Sequence, residues 1–109
     1  MRNDTLGAIK ALVLAGKMRV SLHGLNELRD DGILLSAVVQ GLDGAVVVED
    51  YPTYAKGPCV LCLQRDSADR PLHILWGIAA QSSDVATIIT AYRPDFDRWS
   101  EDFLARKQK

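Results

Sequence analysis

The sequence predicts a small α+β domain in which N-terminal helices pack on a four-stranded antiparallel sheet that a C-terminal helix follows. Three observations predict this class. Apolar residues recur at helical spacing before residue 45, β-rich runs separated by short turns occupy residues 45–92, and helical spacing returns after Pro94. Because 109 residues can bury one core, we expect a single domain over 1–109.

The first helix is predicted from its cap and its stripe. Asn3 or Asp4 is suited to the N-cap, and Gly16 is suited to end the helix. The apolar stripe consists of Leu6, Ile9 and Val13. The segment "MRVSL" that follows is a short connector or a strand.

A second and a third helix precede the sheet. Ser21 is a good N-cap for a helix that runs to about Asp31, and Gly32 suits the C′ position. "LLSAVVQGL" is a shorter helical stretch that Gly41 and Gly44 close.

The strands are predicted from "AVVVEDY", "PCVLCLQRD", "PLHILWGIAA" and "DVATIITAY", whose short connections favour an antiparallel meander. In the third strand, His73 and Leu75 share the face opposite Ile74 and Trp76. Alternation in the fourth strand opposes two sets of residues, namely Val85, Thr87 and Ile89 against Ala86, Ile88, Thr90 and Tyr92. We expect the second face of the sheet to be partly covered, with a cleft where His73, Thr90 and Tyr92 meet.

The C-terminal helix is predicted from its start and its apolar spacing. Pro94 ends the last strand, and Asp95 can cap the helix. Its apolar stripe would consist of Phe96, Trp99 and Phe103.

Charge and hydropathy limit the partners. The formal net charge is −1 and the pI is about 6.1, which counts against a nucleic-acid partner because phosphate binding usually requires a basic excess. Basic residues do cluster near both ends of the chain. No apolar run approaches the roughly 18 residues of a membrane span, so we expect no membrane association and a cytoplasmic location.

Cys59 and Cys62 form a C-x-x-C pair, a spacing found in zinc and redox sites. Within a strand the two side chains project to opposite faces, and the chain has no second pair to complete a tetrahedral site. We therefore expect two buried thiols, no bound metal and no cofactor.

The two histidines are the candidates for acid–base chemistry. His23 lies at the start of the second helix, where Glu27 one turn later can orient its ring. A polar flank of that helix predicts a partly exposed His23, close to the Thr90–Tyr92 end of the last strand. For His23 the alternative is capping and packing, and for His73 it is a satisfied, half-buried position.

The order "SLHGLNELRDDGI", "VVVEDYP", "GPCVLCLQRD", "RPLHILWG", "TAYRPD" and "W..DF..RK" resembles the family called domain of unknown function 4258. Its members look like small toxins of the RelE and ParE type, in the barnase–EndoU–colicin–RelE fold group, some encoded beside an antitoxin. The positions that this resemblance implies are His23, His73, Thr90, Tyr92 and Arg93.

The chain departs from that family pattern on the second helix. The members with the plainest toxin character carry arginines one and two turns after the helix histidine. This chain has Glu27 and Asp31 there, and Arg29 is out of register. The departure weakens the case for phosphate binding on this helix.

Two functions follow as hypotheses. The first is a toxin-like, metal-independent endoribonuclease with His23, His73 and Tyr92 catalytic, and with Glu27, Arg29, Thr90 and Arg93 binding substrate. RNA and a cognate antitoxin protein would be its partners. The second is a non-catalytic protein-binding module that keeps the fold without the nuclease chemistry.

Overall fold

The computed structural model describes residues 4–81 and 84–107. Its elements are α1 (Thr5–Leu14), β1 (Met18–Val20), α2 (Leu22–Asp30), α3 (Leu35–Gly41), a 3-10 turn (Leu42–Gly44), β2 (Val46–Tyr51), β3 (Cys59–Arg65), β4 (Pro71–Ile78) and β5 (Ala86–Tyr92). The predicted α+β class is confirmed. Within the described residues no helix combines the length and the apolar character needed to cross a membrane.

Over the described residues the sheet has five strands in the order β1-β5-β4-β3-β2, so the prediction of four strands was wrong. The antiparallel meander from β2 to β5 is confirmed, and the additional strand is β1, which pairs parallel with β5. β1 has only three residues, too few for a periodic signal. It forms because the edge of β5 offers partners: the N–H of Ser21 donates to Ile88 at 2.9 Å, and that of Ala86 donates to Lys17 at 2.9 Å.

The second helix begins and ends as its capping residues predict. The Ser21 hydroxyl accepts the N–H of Gly24 at 2.9 Å, and Gly32 takes a φ of +63° just after the helix. Gly24 also lets α2 approach β5 closely, since a Cβ there would lie 2.8 Å from the Ile88 carbonyl oxygen. The helix is therefore fixed against the strand that carries Tyr92.

One face of the sheet packs on the helices and forms the main core. Its buried residues include Ile9, Leu28, Val38, Val60, Cys62, Leu72, Ile74, Trp76 and Ile88. Gln64 is the buried polar residue that joins the layers, because its side chain donates to the Val38 carbonyl and accepts from the Trp76 indole.

The opposite face of the sheet, called here the second face, is covered at one end by residues 94–107. Trp99 and Phe103 pack there on Leu61 and Leu63, so the expected partial cover is confirmed. The cover is not a helix, and that prediction was wrong. Trp99 instead bridges to Arg106 across a tight loop.

Side chains explain why this segment is not helical. Asp95 accepts the N–H groups of Asp97 and Arg98 at 3.0 Å, and Asp102 accepts that of Leu104 at 3.1 Å. Asp95 caps a single helical turn, in which the N–H of Trp99 donates to the Asp95 carbonyl at 3.1 Å. The turn does not continue, because the N–H of Ser100 donates to Ala105 at 2.8 Å, Asp102 binds nearby backbone and Phe103 takes a φ of +62°. Phe96, assigned to the apolar stripe, is 58% exposed, whereas Trp99 is 2% exposed.

A β-bulge in β5 changes the predicted alternation. Trp76 pairs with Ile88 while Leu75 pairs with Thr90, so Ile89 is an extra residue. Ile88 therefore faces the helices, whereas Thr90 and Tyr92 face the opposite way, contrary to the predicted grouping of these three residues. The bulge is what places Tyr92 on the same face as His73.

Candidate functional site

His73 and Tyr92 are brought together as the sequence predicted, because they pair directly between β4 and β5. The Tyr92 hydroxyl oxygen lies 3.1 Å from Nδ1 of His73, and Nε2 lies 2.8 Å from the Phe103 carbonyl oxygen. A carbonyl can only accept, so Nε2 carries the ring proton. Nδ1 is then free to accept the hydroxyl proton of Tyr92.

The imidazole of His73 is completely buried. Its ring meets the rings of Tyr92 and Trp99 edge to face, with centroids 5.3 and 4.3 Å apart. Burial lowers the pKa of His73, while the Phe103 carbonyl and the charge of Glu49 act in the opposite direction. His73 is therefore a neutral base whose accepting nitrogen contacts Tyr92.

Tyr92 connects this buried ring to an open cavity. The cavity has a volume of about 430 Å³ and is lined by Asp31, Tyr92, Arg93, Pro94, Asp95, Arg98, Trp99 and Arg106. Burial raises the pKa of Tyr92 to about 12, so its hydroxyl stays protonated at neutral pH. The arrangement is a phenol in an arginine-lined pocket, with a neutral imidazole behind it.

Two of the three arginines have carboxylate partners. Arg106 binds both oxygens of Glu49, at 2.7 and 3.0 Å, and its guanidinium lies 4.7 Å from the Trp99 ring centroid. This ion pair lowers the pKa of Glu49. Arg93 donates to Asp66 at 3.2 Å. Both guanidinium groups are therefore held in fixed positions beside Tyr92.

Arg98 differs from them in its electrostatic surroundings. Within residues 4–81 and 84–107 its guanidinium forms no ion pair. The two aspartates of the cavity bind backbone instead, since Asp95 accepts the N–H of Arg98 and Asp31 accepts the N–H of Arg93 at 3.1 Å. The lining therefore holds three arginines and two aspartates, and Arg98 is the cation best placed to meet a ligand anion.

His23 is not part of the cavity lining. Its side chain is 64% exposed with Nε2 3.1 Å from Glu27, which confirms the predicted exposure and neighbour. Asp31, the C-cap residue of α2, does line the cavity, and its carboxylate accepts the N–H of Arg93. Both ring nitrogens of His73 are already bound within the fold, so the two histidines do not form a direct acid–base pair.

The remaining sequence candidates divide between the cavity and its surroundings. Arg93 lines the cavity, and Thr90 is half-buried on the same face, opposite Leu75. Glu27 and Arg29 lie on α2 and are not part of the lining.

Sequence reasoning missed Arg98 and Arg106 as site residues. Arg106 is part of "W..DF..RK" and Arg98 directly precedes it, but the segment was assigned to a helix. The bridge between Trp99 and Arg106, together with the bond from the N–H of Lys107 to the Arg98 carbonyl, places both arginines in the lining of the Tyr92 cavity.

The C-x-x-C residues are buried free thiols, as expected. Cys62 lies in the helix-side core, whereas Cys59 pairs with Gly77 and faces the other way. Burial raises the pKa of both thiols, that of Cys62 to about 12. Within the part of the chain that the structure describes, no three His, Cys, Asp or Glu residues are grouped as metal ligands would be.

Comparison with known families gives one match. The family model described as Domain of unknown function (DUF4258) matches residues 20–93. The match runs from the end of β1 through β5 and includes His73, Tyr92 and Arg93. Arg98 and Arg106 lie beyond it. The comparisons with curated proteins and with solved structures gave no match.

Proposed function

The chain belongs to the DUF4258 family, and from this premise and the arginine-lined cavity we propose that it is a toxin-like, metal-independent endoribonuclease. The proposal includes kinship with small toxins of the RelE and ParE type. Helices on one face of a largely antiparallel sheet support that kinship. A cognate antitoxin protein is the partner that such a role implies, and the cytoplasm is where the protein would act.

One observation carries the proposal: the Tyr92 hydroxyl donates to the buried, neutral His73 and lines the cavity that holds the arginines. A tyrosine with a pKa of about 12 is a poor base by itself. The Tyr92 oxygen can accept a proton from the substrate when a neighbouring base accepts the proton of the Tyr92 hydroxyl at the same time. Nδ1 of His73 is that base, and burial keeps it unprotonated at neutral pH.

The chemistry is a transesterification within the RNA. The 2′-hydroxyl gives its proton to the Tyr92 oxygen as Tyr92 gives its own to His73. The 2′-oxygen then attacks the neighbouring phosphorus, and the bond from phosphorus to the 5′-oxygen breaks. The leaving 5′-oxygen takes a proton from the Tyr92 hydroxyl, and Tyr92 recovers a proton from His73. The products are a 2′,3′-cyclic phosphate and a 5′-hydroxyl, so no metal ion or cofactor is needed for balance.

The arginines supply the electrostatic part. Charge builds up on the phosphoryl oxygens as the 2′-oxygen attacks, and preorganised cations at that position lower the barrier. Arg98 is the donor without an ion-pair partner among the described residues, while Arg93 and Arg106 are paired with Asp66 and Glu49.

The test is cleavage of single-stranded RNA by the purified protein in the presence of EDTA. We expect cyclic-phosphate ends, and we expect Tyr92→Phe to lower the rate about 10²- to 10⁴-fold, the range of proton-transfer catalysis. His23→Gln, which alters the exposed helix histidine, is the control and should cleave normally. Cleavage that depends on His23 and not on Tyr92 would overturn the assigned site.

The pH dependence provides a second readout. Because His73 must be neutral to accept a proton and burial lowers its pKa, activity should be flat from pH 7 to 9. It should fall only on the acid side of the ordinary histidine pKa of about 6.5. A rate that keeps rising tenfold per pH unit through pH 9 would instead indicate attack assisted by hydroxide.

A second function is favoured by one observation. Glu49 and Asp66 already neutralise two of the three arginines. This arrangement suits a non-catalytic binding module, for which the cavity would be a protein-docking site. Expression in a bacterium separates the two: growth arrest that Tyr92→Phe relieves supports the nuclease, and normal growth at high expression supports the binding module.

A further inference from the structure

A second cavity lies on the second face, at the end that residues 94–107 do not cover. It has a volume of about 490 Å³ and lies between β1, β5, the end of β4 and the loop that precedes β3. The lining residues that matter are Arg19, Tyr54, Lys56, Gly77, Thr87 and Ile89. None of them belongs to the Tyr92 cavity.

The loop at 52–58 is held in place by the backbone. The N–H of Ala80 donates to the Lys56 carbonyl at 3.1 Å, and that of Ile78 donates to Pro58 at 3.0 Å. Gly57 makes this approach possible, because it takes a φ of +121° and a Cβ there would clash with the Ile78 carbonyl oxygen. The loop therefore presents its side chains from a fixed position.

The floor of the cavity is apolar and lacks one side chain. The Ile89 side chain fills the space above Gly77, since a Cβ on Gly77 would be 2.6 Å from Ile89 Cδ1, and Ile89 therefore forms the surface of the floor. Arg19 forms the opposite wall and donates to the Thr87 hydroxyl at 3.4 Å. A flat group can rest on this floor without displacing a side chain.

The chemistry of the lining selects the ligand. Arg19 and Lys56 are two cations, and among the described residues no carboxylate lines the cavity. The Tyr54 ring is 55% exposed and offers a stacking surface. This combination of two cations, an exposed aromatic ring and an apolar floor is suited to a nucleotide. Its phosphate can bind the cations, and every nucleobase has a face that can stack on the ring.

The cavity also lies in line with the proposed active site. Ile89 and Tyr92 are three residues apart on β5 and face the same side, which separates them by about 10 Å at strand spacing. A few nucleotides of single-stranded RNA span that distance. A strand bound at Tyr92 would therefore continue over Ile89.

We propose that the cavity formed by Arg19, Tyr54, Lys56 and Gly77 is a nucleotide subsite for single-stranded RNA. The base stacks on Tyr54, and Arg19 and Lys56 hold the adjoining phosphate. This inference rests on the proposed function, in that RNA is taken as the substrate, and it names residues that act in binding rather than in cleavage.

The experiment measures equilibrium binding of a fluorescein-labelled, 2′-O-methyl ten-nucleotide RNA, which cannot be cleaved, over a series of salt concentrations. We expect Tyr54→Ala to weaken binding about tenfold or more, as loss of one stacked base does. Arg19→Ala and Lys56→Ala should each reduce the slope of log K against log salt by about 0.7, the share of one phosphate contact on a single strand.

Lys10→Ala on α1 is the matched control, because it removes a cation from the helix-covered side of the sheet. It should leave affinity and salt slope unchanged. Circular dichroism melting of each variant establishes that the exposed substitutions leave the fold intact.

The outcomes separate the two proposals. Cleavage that persists while Arg19, Tyr54 and Lys56 variants bind like the wild type overturns the subsite and keeps the nuclease. RNA binding that depends on these residues without any cleavage keeps the subsite and overturns the nuclease. Absence of binding by the wild type, or equal affinity for a duplex that cannot stack on Tyr54, overturns the subsite.

Discussion

At the scale of single residues, the cavity beside Tyr92 distinguishes arginines that shape the site from the one that is free to act. Arg106 is fixed by Glu49 and Trp99, so its substitution would disturb the fold around His73. Arg98 has no ion-pair partner within residues 4–81 and 84–107, and its side chain is exposed. It is therefore the substitution that tests anion binding with the least structural disturbance.

We expect Arg98→Ala to weaken RNA cleavage about 10- to 100-fold, since a hydrogen bond to a charged group contributes about 1.5–3 kcal/mol. The free energy of unfolding should change by no more than about 0.5 kcal/mol, as at most exposed positions. Arg65→Ala at the exposed end of β3 is the control for a lost positive charge. Equal cleavage by the two variants would contradict the role given to Arg98.

The site itself could be predicted from the sequence only in part. Alternation along β4 was enough to place His73 on the face opposite Trp76, and Tyr92 followed as its neighbour on the next strand. The proton on Nε2 could not be foreseen, because it depends on the Phe103 carbonyl, 30 residues away in the chain. Nor could the position of His23 outside the cavity lining, which depends on how α2 lies along β5.

At the scale of elements, residues 94–107 show how local side chains override an apolar pattern. The spacing of Phe96, Trp99 and Phe103 is helical and Asp95 caps one turn, yet the turn ends where Asp102 binds the N–H of Leu104 and Phe103 takes a φ of +62°. Helices whose capping residues are evident in the sequence, such as α2 with Ser21 at its N-cap, were predicted correctly. β1 could not be identified from three residues, because its stability comes from pairing with β5.

This segment gives a paired test of packing. We expect Trp99→Ala to lower the free energy of unfolding by about 3–5 kcal/mol, since the ring is 2% exposed and covers His73. Phe96→Ala should lower it by only about 1 kcal/mol, because Phe96 is 58% exposed and keeps only its ring contact with Phe103. Urea unfolding measures both, and similar losses would indicate that the three aromatic residues share one buried stripe after all.

At the scale of the whole molecule, stability should depend on pH through one buried histidine before any carboxylate contributes. His73 has a pKa below its ordinary value in the folded protein, so the unfolded chain binds its proton first as pH falls. That group's contribution is complete above about pH 6.5 and is lost as pH falls toward the lower folded value. The carboxyl groups of Glu49, Asp66 and Asp102 also have lowered pKa values. Their contribution is lost only near and below pH 4, the ordinary range of carboxyl groups.

We therefore expect the free energy of unfolding in urea to be flat from pH 7 to 8, below the pH at which the thiols of the unfolded chain ionise, and to decline from about pH 6.5 downward. The slope should approach, without exceeding, about 1.4 kcal/mol per pH unit for the single proton involved. His73→Gln should abolish the decline between pH 6.5 and 5, even if the variant is less stable throughout, because the slope reports the titrating group and not the lost hydrogen bond. His23→Gln removes the exposed histidine and should keep the decline, since it leaves the Tyr92–His73–Phe103 arrangement intact. If His73→Gln kept the wild-type slope, the acid sensitivity would have to come from another group, and His73 could not be the neutral base behind Tyr92.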